Sequence, residues 1–342
     1  MKRRTFVGAA AASVPVFNIL TAGLARAQSK EIRMIESGGK SGESIEVGYI
    51  EPLSKKTGIK VVRESPSSLG KLRALVDSGQ TTTVLFELGS GVMVQARKLG
   101  LIEKIDWSAV APAAMFPEAK NDYGFGYQYF STIMAWRAGQ KEPKTWTEFF
   151  DTKAFPGKRC LPDYPHYCLP FAVMASGVPA DKLYPLDVDA GFKKLSEIKK
   201  DISVWWKAGA QPPQLLKDNE VQYVICWSGR VVGDPAFGMN FAGGMADLSY
   251  FGIVKNSKPE DRASAYKLMH EMSLPENQAK AATVISYTGP SPDLDPLLPK
   301  NKLAEFPTSK QNKAIQWFQN AEWWADNGEA VNKKWEAFKL SL

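Results

Sequence analysis

Two short segments carry the side chains best suited to chemistry. The first is the end of NEVQYVICWSGR (219–230), where the apolar run Val221–Ile225 gives way to Trp227, Ser228, Gly229 and Arg230. An indole covers ligand carbon, and a guanidinium pairs with a carboxylate. The second is Ser37-Gly38-Gly39-Lys40-Ser41, whose glycines open a helix. Backbone N–H groups and the positive end of the helix dipole suit an oxyanion there. Ser90, between Gly89 and Gly91, and Arg159, in FPGKR (155–159), add further donors. Plainer alternatives stay open: Trp227 as core filling, the glycines as a tight turn, Arg230 in a structural ion pair.

These sets bind rather than react. No G-x-S-x-G elbow surrounds Ser90, and the only histidines are His166 and His270, so acyl-transfer chemistry lacks its parts and no enzyme is expected. GGKS at 38–41 is no phosphate-binding P-loop, because Met34 stands where that motif needs its first glycine. The histidines have no cysteine or carboxylate at ligand spacing, so neither a metal site nor a cofactor is expected. Tyr164 and Tyr167 around His166 are a thin version of a tyrosine iron site. Cys160 and Cys168 flank a proline-containing loop; a bridge and two free thiols both remain open. Cys226 reads as a buried thiol in a strand.

The elements that position these groups begin after a leader. Lys2, Arg3 and Arg4 precede an alanine-rich apolar run ending in Ala25-Arg26-Ala27. Residues 1–27 therefore read as a signal peptide, of twin-arginine type, with cleavage near Ala27 and a periplasmic destination. The formal charge of +7 falls to +3 when Lys2, Arg3, Arg4 and Arg26 leave. The remaining charge is interspersed, which gives no footing for nucleic acid.

Strands at 31–36, 59–62 and 83–86 alternate with helices, which indicates a parallel sheet with its ligand loops at the strand ends. Tyr123–Trp136 is a long aromatic strand expected to cross between two domains. The run at 219–227 and a strand at 249–254 follow, and 286–299 crosses again. The expected fold class is α/β: two lobes, each a mixed, mostly parallel sheet flanked by helices, with a ligand cleft between them. Lobe 1 is assigned to 28–132 plus 247–293 and lobe 2 to 133–246 plus 294–342.

Several segments now support a resemblance. They are the glycine pair before the first helix, PLSKKTGIKVV (52–62), GLIEKID (100–106), FPGKR, LYPLDVDAGFKKL (183–195), WWKAGAQPPQLLKDNEV (205–221), CWSGR (226–230) and EWWADN (322–327). Together they resemble the type II periplasmic solute-binding proteins of ABC importers, in the spermidine/putrescine-binding group. The resemblance implies a monomer that closes about a hinge on a small ligand and presents it to a membrane permease. It maps Ser37, Gly38, Gly39 and Ser41 to the first cleft loop and Ser90 to the second. It maps Trp227 to a stacking aromatic, Arg230 to a neighbouring arginine, Ser249 to the next cleft loop and Tyr287 to an aromatic on the third crossing. Arg159 and Tyr164 complete the expected ligand-binding set.

Departures from the polyamine pattern decide the ligand class. Serine stands at positions 37 and 249, where that pattern has an aromatic and a carboxylate, and glycine stands at 91. Glu36, Glu43, Glu87, Asp163 and Asp247 are the acids that could substitute. A dication without sure counter-charges costs several kcal/mol. The donors instead favour a carboxylate-bearing or zwitterionic ligand, with putrescine or spermidine as the alternative.

Overall fold

The computed structural model describes residues 30–79 and 82–340. The leader and its cleavage site lie outside them. Eleven strands form one sheet: β1 (Glu31–Ile35), β2 (Lys60–Glu64), β3 (Thr83–Gly89), β4 (Ile102–Glu103), β5 (Lys120–Asn121), β6 (Gly124–Arg137), β7 (Arg159–Pro162), β8 (Ile202–Trp206), β9 (Tyr223–Trp227), β10 (Phe237–Val254) and β11 (Trp317–Phe318). The main order is β2-β1-β3-β10-β6-β9-β7-β8.

The outer strands are parallel: β1 with β2 and β3, β7 with β8 and β9. At the centre, β10 runs antiparallel to β3 and β6, and β6 antiparallel to β9. Each parallel set is built from strand–helix–strand units, which bury both sheet faces under helices. Apolar clusters accordingly lie on either face at both ends. Met34, Tyr49, Phe125 and Phe251 belong to one face at the first end, and Phe86, Met93 and Tyr250 to the other. Phe149, Phe171 and Trp335 mark one face at the second end, and Cys160, Trp206 and Val224 the other.

Two long strands join the ends. β6 is buried at thirteen consecutive positions, because it runs through the middle of the molecule. β10 is far longer than the 249–254 strand read from sequence. Its first half is hidden by FAGG (241–244), where Gly243 takes φ 66° and the register against β6 slips between Asn240 and Met245. Such a bulge breaks the two-residue alternation that marks a strand. A third crossing is pinned by Tyr129 and Thr288, with Tyr129 N–H donating to Thr288 O at 2.7 Å.

All three cysteines are free and buried. A Cys160–Cys168 bridge is therefore not formed. Cys160 lies inside β7, and the Cys168 thiol turns to the Pro162 carbonyl at 3.2 Å. Among the described residues no helix is long and apolar enough to cross a membrane.

Candidate functional site

The largest cavity near the crossings measures about 530 Å³. Ser37, Gly38, Ser41, Pro66, Ser67, Glu87, Gly89, Gln128 and Ser249 form one wall. Phe130, Tyr164, Tyr167, Lys207, Ala208, Gly209, Trp227, Arg230 and Tyr287 form the other. A smaller hollow of about 350 Å³ is lined by Gly229 and Ile285. It has no charged group apart from Lys302, so the chemistry is concentrated in the larger cavity.

The first wall is built on the C-terminal end of β3 and the turn after β1. Gly38 takes φ 83°, which a side chain disfavours, and the helix Gly39–Ile45 starts behind it. Two of its amides do not face a ligand. Ser37 N–H donates to Glu87 Oε2 at 2.6 Å, and Gly38 N–H donates to Glu36 Oε2. The protein's own carboxylates fill the place expected for an oxyanion. Glu36 is also paired with Arg63 at 3.3 Å. Glu87 accepts a second bond from the Tyr127 hydroxyl at 2.8 Å. Burial raises its pKa, against the pull of these hydrogen bonds. Glu87 is thus a desolvated acid at the cavity wall, stabilised further by any cation brought to it.

Opposite, the tip of β9 delivers Trp227 and Arg230. Trp227 is packed among aromatics and also lines the cavity. Its ring packs edge-on against Trp206 (5.0 Å), Tyr167 (6.0 Å) and Phe130 (6.2 Å). Gly209 lies against the indole: a Cβ there would stand 2.7 Å from Cε3 and 3.1 Å from Arg230 Nε. Gly229 is held equally close to Tyr287, whose ring would meet a Cβ at 2.5 Å. The Tyr287 hydroxyl is beside Arg230, and burial pushes its pKa up to about 12. Tyr164 donates to the Lys207 carbonyl at 2.8 Å, which fixes the rim.

Two buried donors on this wall have no hydrogen-bond acceptor: Trp227 Nε1 and Arg230 Nε. Among the described residues Arg230 has no carboxylate within ion-pair distance. A buried donor left unsatisfied costs ~1–3 kcal/mol, and both residues line the cavity. The second wall therefore demands an acceptor, preferably an anionic one.

The structure brings Ser37, Gly38, Ser41, Tyr164, Trp227, Arg230, Ser249 and Tyr287 to this cavity. Gly39, Ser90 and Arg159 lie elsewhere. Gly39 is exposed at the start of its helix. Ser90 lines an adjoining crevice of about 240 Å³ with His166, Asp247, Gln319 and Trp324, and its hydroxyl donates to Gln319 Oε1 at 3.2 Å. His166 there is desolvated, its pKa lowered to about 4, and its ring lies 4.1 Å from that of Tyr167.

Arg159 is fully buried under the turn before β7. It donates to the carbonyls of Gly157, Phe149 (3.3 Å) and Phe155 (2.6 Å), and its guanidinium sits 4.8 Å over the Tyr223 ring. It holds a turn rather than a ligand. Arg159→Met should lower unfolding free energy by about 3–5 kcal/mol, since it strands buried carbonyls. Ligand affinity, measured by calorimetry beside thermal denaturation, should not change.

Lys207, Gln128 and Phe130 line the cavity without having been singled out from sequence, and Tyr167, read there only as part of a thin iron-site pattern, lines it too. Lys207 alone had a signal, in the glycine-containing loop after β8.

The sequence profile of the bacterial extracellular solute-binding proteins matches residues 48–308. A gamma-aminobutyric acid-binding protein of Pseudomonas aeruginosa is 30% identical over 336 residues, 94% of this chain and 95% of its own. A solved ABC transporter substrate-binding protein from Bradyrhizobium japonicum USDA 110 superimposes with a TM-score of 0.84 at 32% identity, covering 90% of this chain and 99% of that one. The solved Atu4243-GABA receptor gives 0.83 at 28% identity, covering 90% of this chain and 97% of its own.

Proposed function

We propose, from the premise that this chain belongs to the bacterial extracellular solute-binding proteins, that its cleft captures a small amino-carboxylate such as a γ-amino acid for an ABC importer. The carrying observation is the opposition of the two walls. Glu87 and a row of serines face unpartnered donors on Trp227 and Arg230. A ligand ammonium goes to Glu87 and a ligand carboxylate to Arg230. The aromatic rings of Trp227, Phe130 and Tyr287 cover the carbons between them.

Each charge then gains a partner that it lacks without ligand. Contacts to both walls favour closure, as a ligand must if it is to shift a two-state hinge. The hinge of this reading runs through β6 near Thr132, where β9 first pairs, and through β10 near Asp247, just before β3 joins at Ser249. It divides the chain into 28–132 plus 247–293 and 133–246 plus 294–342. The chain is exported by its 1–27 leader to the periplasm and acts there as a monomer that docks on its permease.

Linear polyamines fit less well. Glu87 is the sole acid on either wall, against two cations, Lys207 and Arg230. A diamine would leave one ammonium without a carboxylate and place it near Arg230.

Thermal shift on ligand-stripped protein tests the reading. 4-Aminobutanoate, other amino acids, simple carboxylates, putrescine and spermidine form the panel. A true ligand at 100 times its Kd adds ~2.7 kcal/mol of stability. Amino-carboxylates should raise the melting temperature and polyamines should not; a response to polyamines alone overturns the assignment.

A further inference from the structure

We propose that the ligand carries a second acidic group, read by Lys207, so that the preferred class is the amino-dicarboxylates rather than the amino-monocarboxylates. This rests on the amino-carboxylate reading and narrows it.

The charge of the cavity is the first argument. Its charged lining residues are Glu87, Lys207 and Arg230, which leaves one positive charge in excess when Glu87 is ionised. An amino-monocarboxylate is neutral overall and leaves that excess in place. One ammonium with two carboxylates cancels it.

The second argument is how Lys207 is held. Its backbone is fixed from two sides. Its N–H donates to Gln211 Oε1 at 2.8 Å, the next amide shares that oxygen at 2.9 Å, and Tyr164 donates to its carbonyl at 2.8 Å. The side chain is 77% exposed and reaches Asp163 only at 3.5 Å. Lys339 at 2.6 Å and Trp335 at 2.8 Å both use the other Asp163 oxygen, Oδ1. The result is an anchored stem whose ammonium has one long ion-pair contact, to Asp163 Oδ2.

The third argument is proximity. Gly209 abuts Arg230 Nε and stands two residues from Lys207, no more than ~7 Å along the backbone. Both cations line the same cavity. The cavity, at about 530 Å³, has room to spare, since ~150 Å³ already accommodates benzene. Lys207 is exposed, so water screens it and its share of affinity is modest. A rim cation also accelerates capture of an anion, more so at low salt.

Calorimetry and stopped-flow tryptophan fluorescence on ligand-stripped protein test this with pairs differing by one carboxylate, beginning with 4-aminobutanoate and glutamate. The expected result is about threefold tighter binding of the dicarboxylate, lost in Lys207→Met, with a slower and less salt-sensitive association. In that variant the dicarboxylate should lose more affinity than the monocarboxylate, and the ligand-free melting temperature should change little because Lys207 is exposed. If wild type binds the monocarboxylate as tightly or tighter, or if Lys207→Met keeps the preference, the second acidic group is refuted while the amino-carboxylate reading stands. If no amino-carboxylate binds, that reading itself fails and this inference falls with it.

Discussion

Arg230→Met abolishes the ligand-induced rise in melting temperature while leaving the ligand-free protein as stable as before. Those two outcomes follow from one fact. Arg230 has no ion-pair partner among the described residues, and its buried Nε has no acceptor. Removing it from the ligand-free protein therefore breaks no salt bridge, loses only a contact with the Tyr287 hydroxyl and relieves an unsatisfied donor. The methionine keeps a similar apolar stem beside Tyr287. In the complex the same change leaves a ligand carboxylate desolvated without its cation. Losing one partner of such a pair costs ~2–5 kcal/mol, a fall in affinity of roughly 30-fold to several thousand-fold. Calorimetry and paired melting curves measure both terms. A variant that binds like wild type would place the carboxylate elsewhere. A variant that melts much earlier without ligand would make Arg230 a structural residue.

Asp247→Asn stabilises the protein near neutral pH by about 3 kcal/mol and leaves it unchanged below about pH 4. Asp247 is 4% exposed, on β10 beside the crevice. Burial lifts its pKa from 3.8 to about 6, only partly offset by the hydroxyls of Ser90 and Tyr167 and by Leu248 N–H. Between those two values the folded chain keeps a proton that the unfolded chain releases. Stability from this group therefore declines as pH rises through that window and is flat above about 6. Asparagine retains the oxygen that accepts Leu248 N–H at 2.8 Å and does not ionise. The difference in melting temperature between variant and wild type, followed from pH 4 to pH 8, should grow with pH and then plateau. A constant difference would mean that Asp247 does not titrate in this range.

What the sequence made legible follows from the range of the forces involved. The β1-to-β3 alternation and the Tyr123–Trp136 crossing are local apolar patterns, and they match β1–β3 and β6 closely. The WSGR tip was readable because an apolar run ending in an aromatic, a glycine and a cation is unusual within a few residues. The first half of β10 was not readable, because a bulge at 241–244 erased its period. Arg159 looked like a ligand donor because a lone arginine carries no sign of the carbonyls that will surround it; those come from Phe149, Phe155 and Gly157 only after the turn has folded. Gln128 and Phe130 join the cavity through the meeting of β6 with loops distant in sequence, and nothing local announces that.

The glycine turn has one more consequence. Its Ser37 and Gly38 amides are occupied by Glu87 and Glu36, so the chain supplies its own counter-anion where related loop geometries would take one from solution. Phosphate and sulfate are thereby refused at that wall by occupancy and by like charge together. Inorganic anions are left to compete only at Arg230 and Lys207, where an organic acid also brings an ammonium for Glu87 and carbon for the rings. The occupied amides thus make that wall a poor site for common inorganic anions.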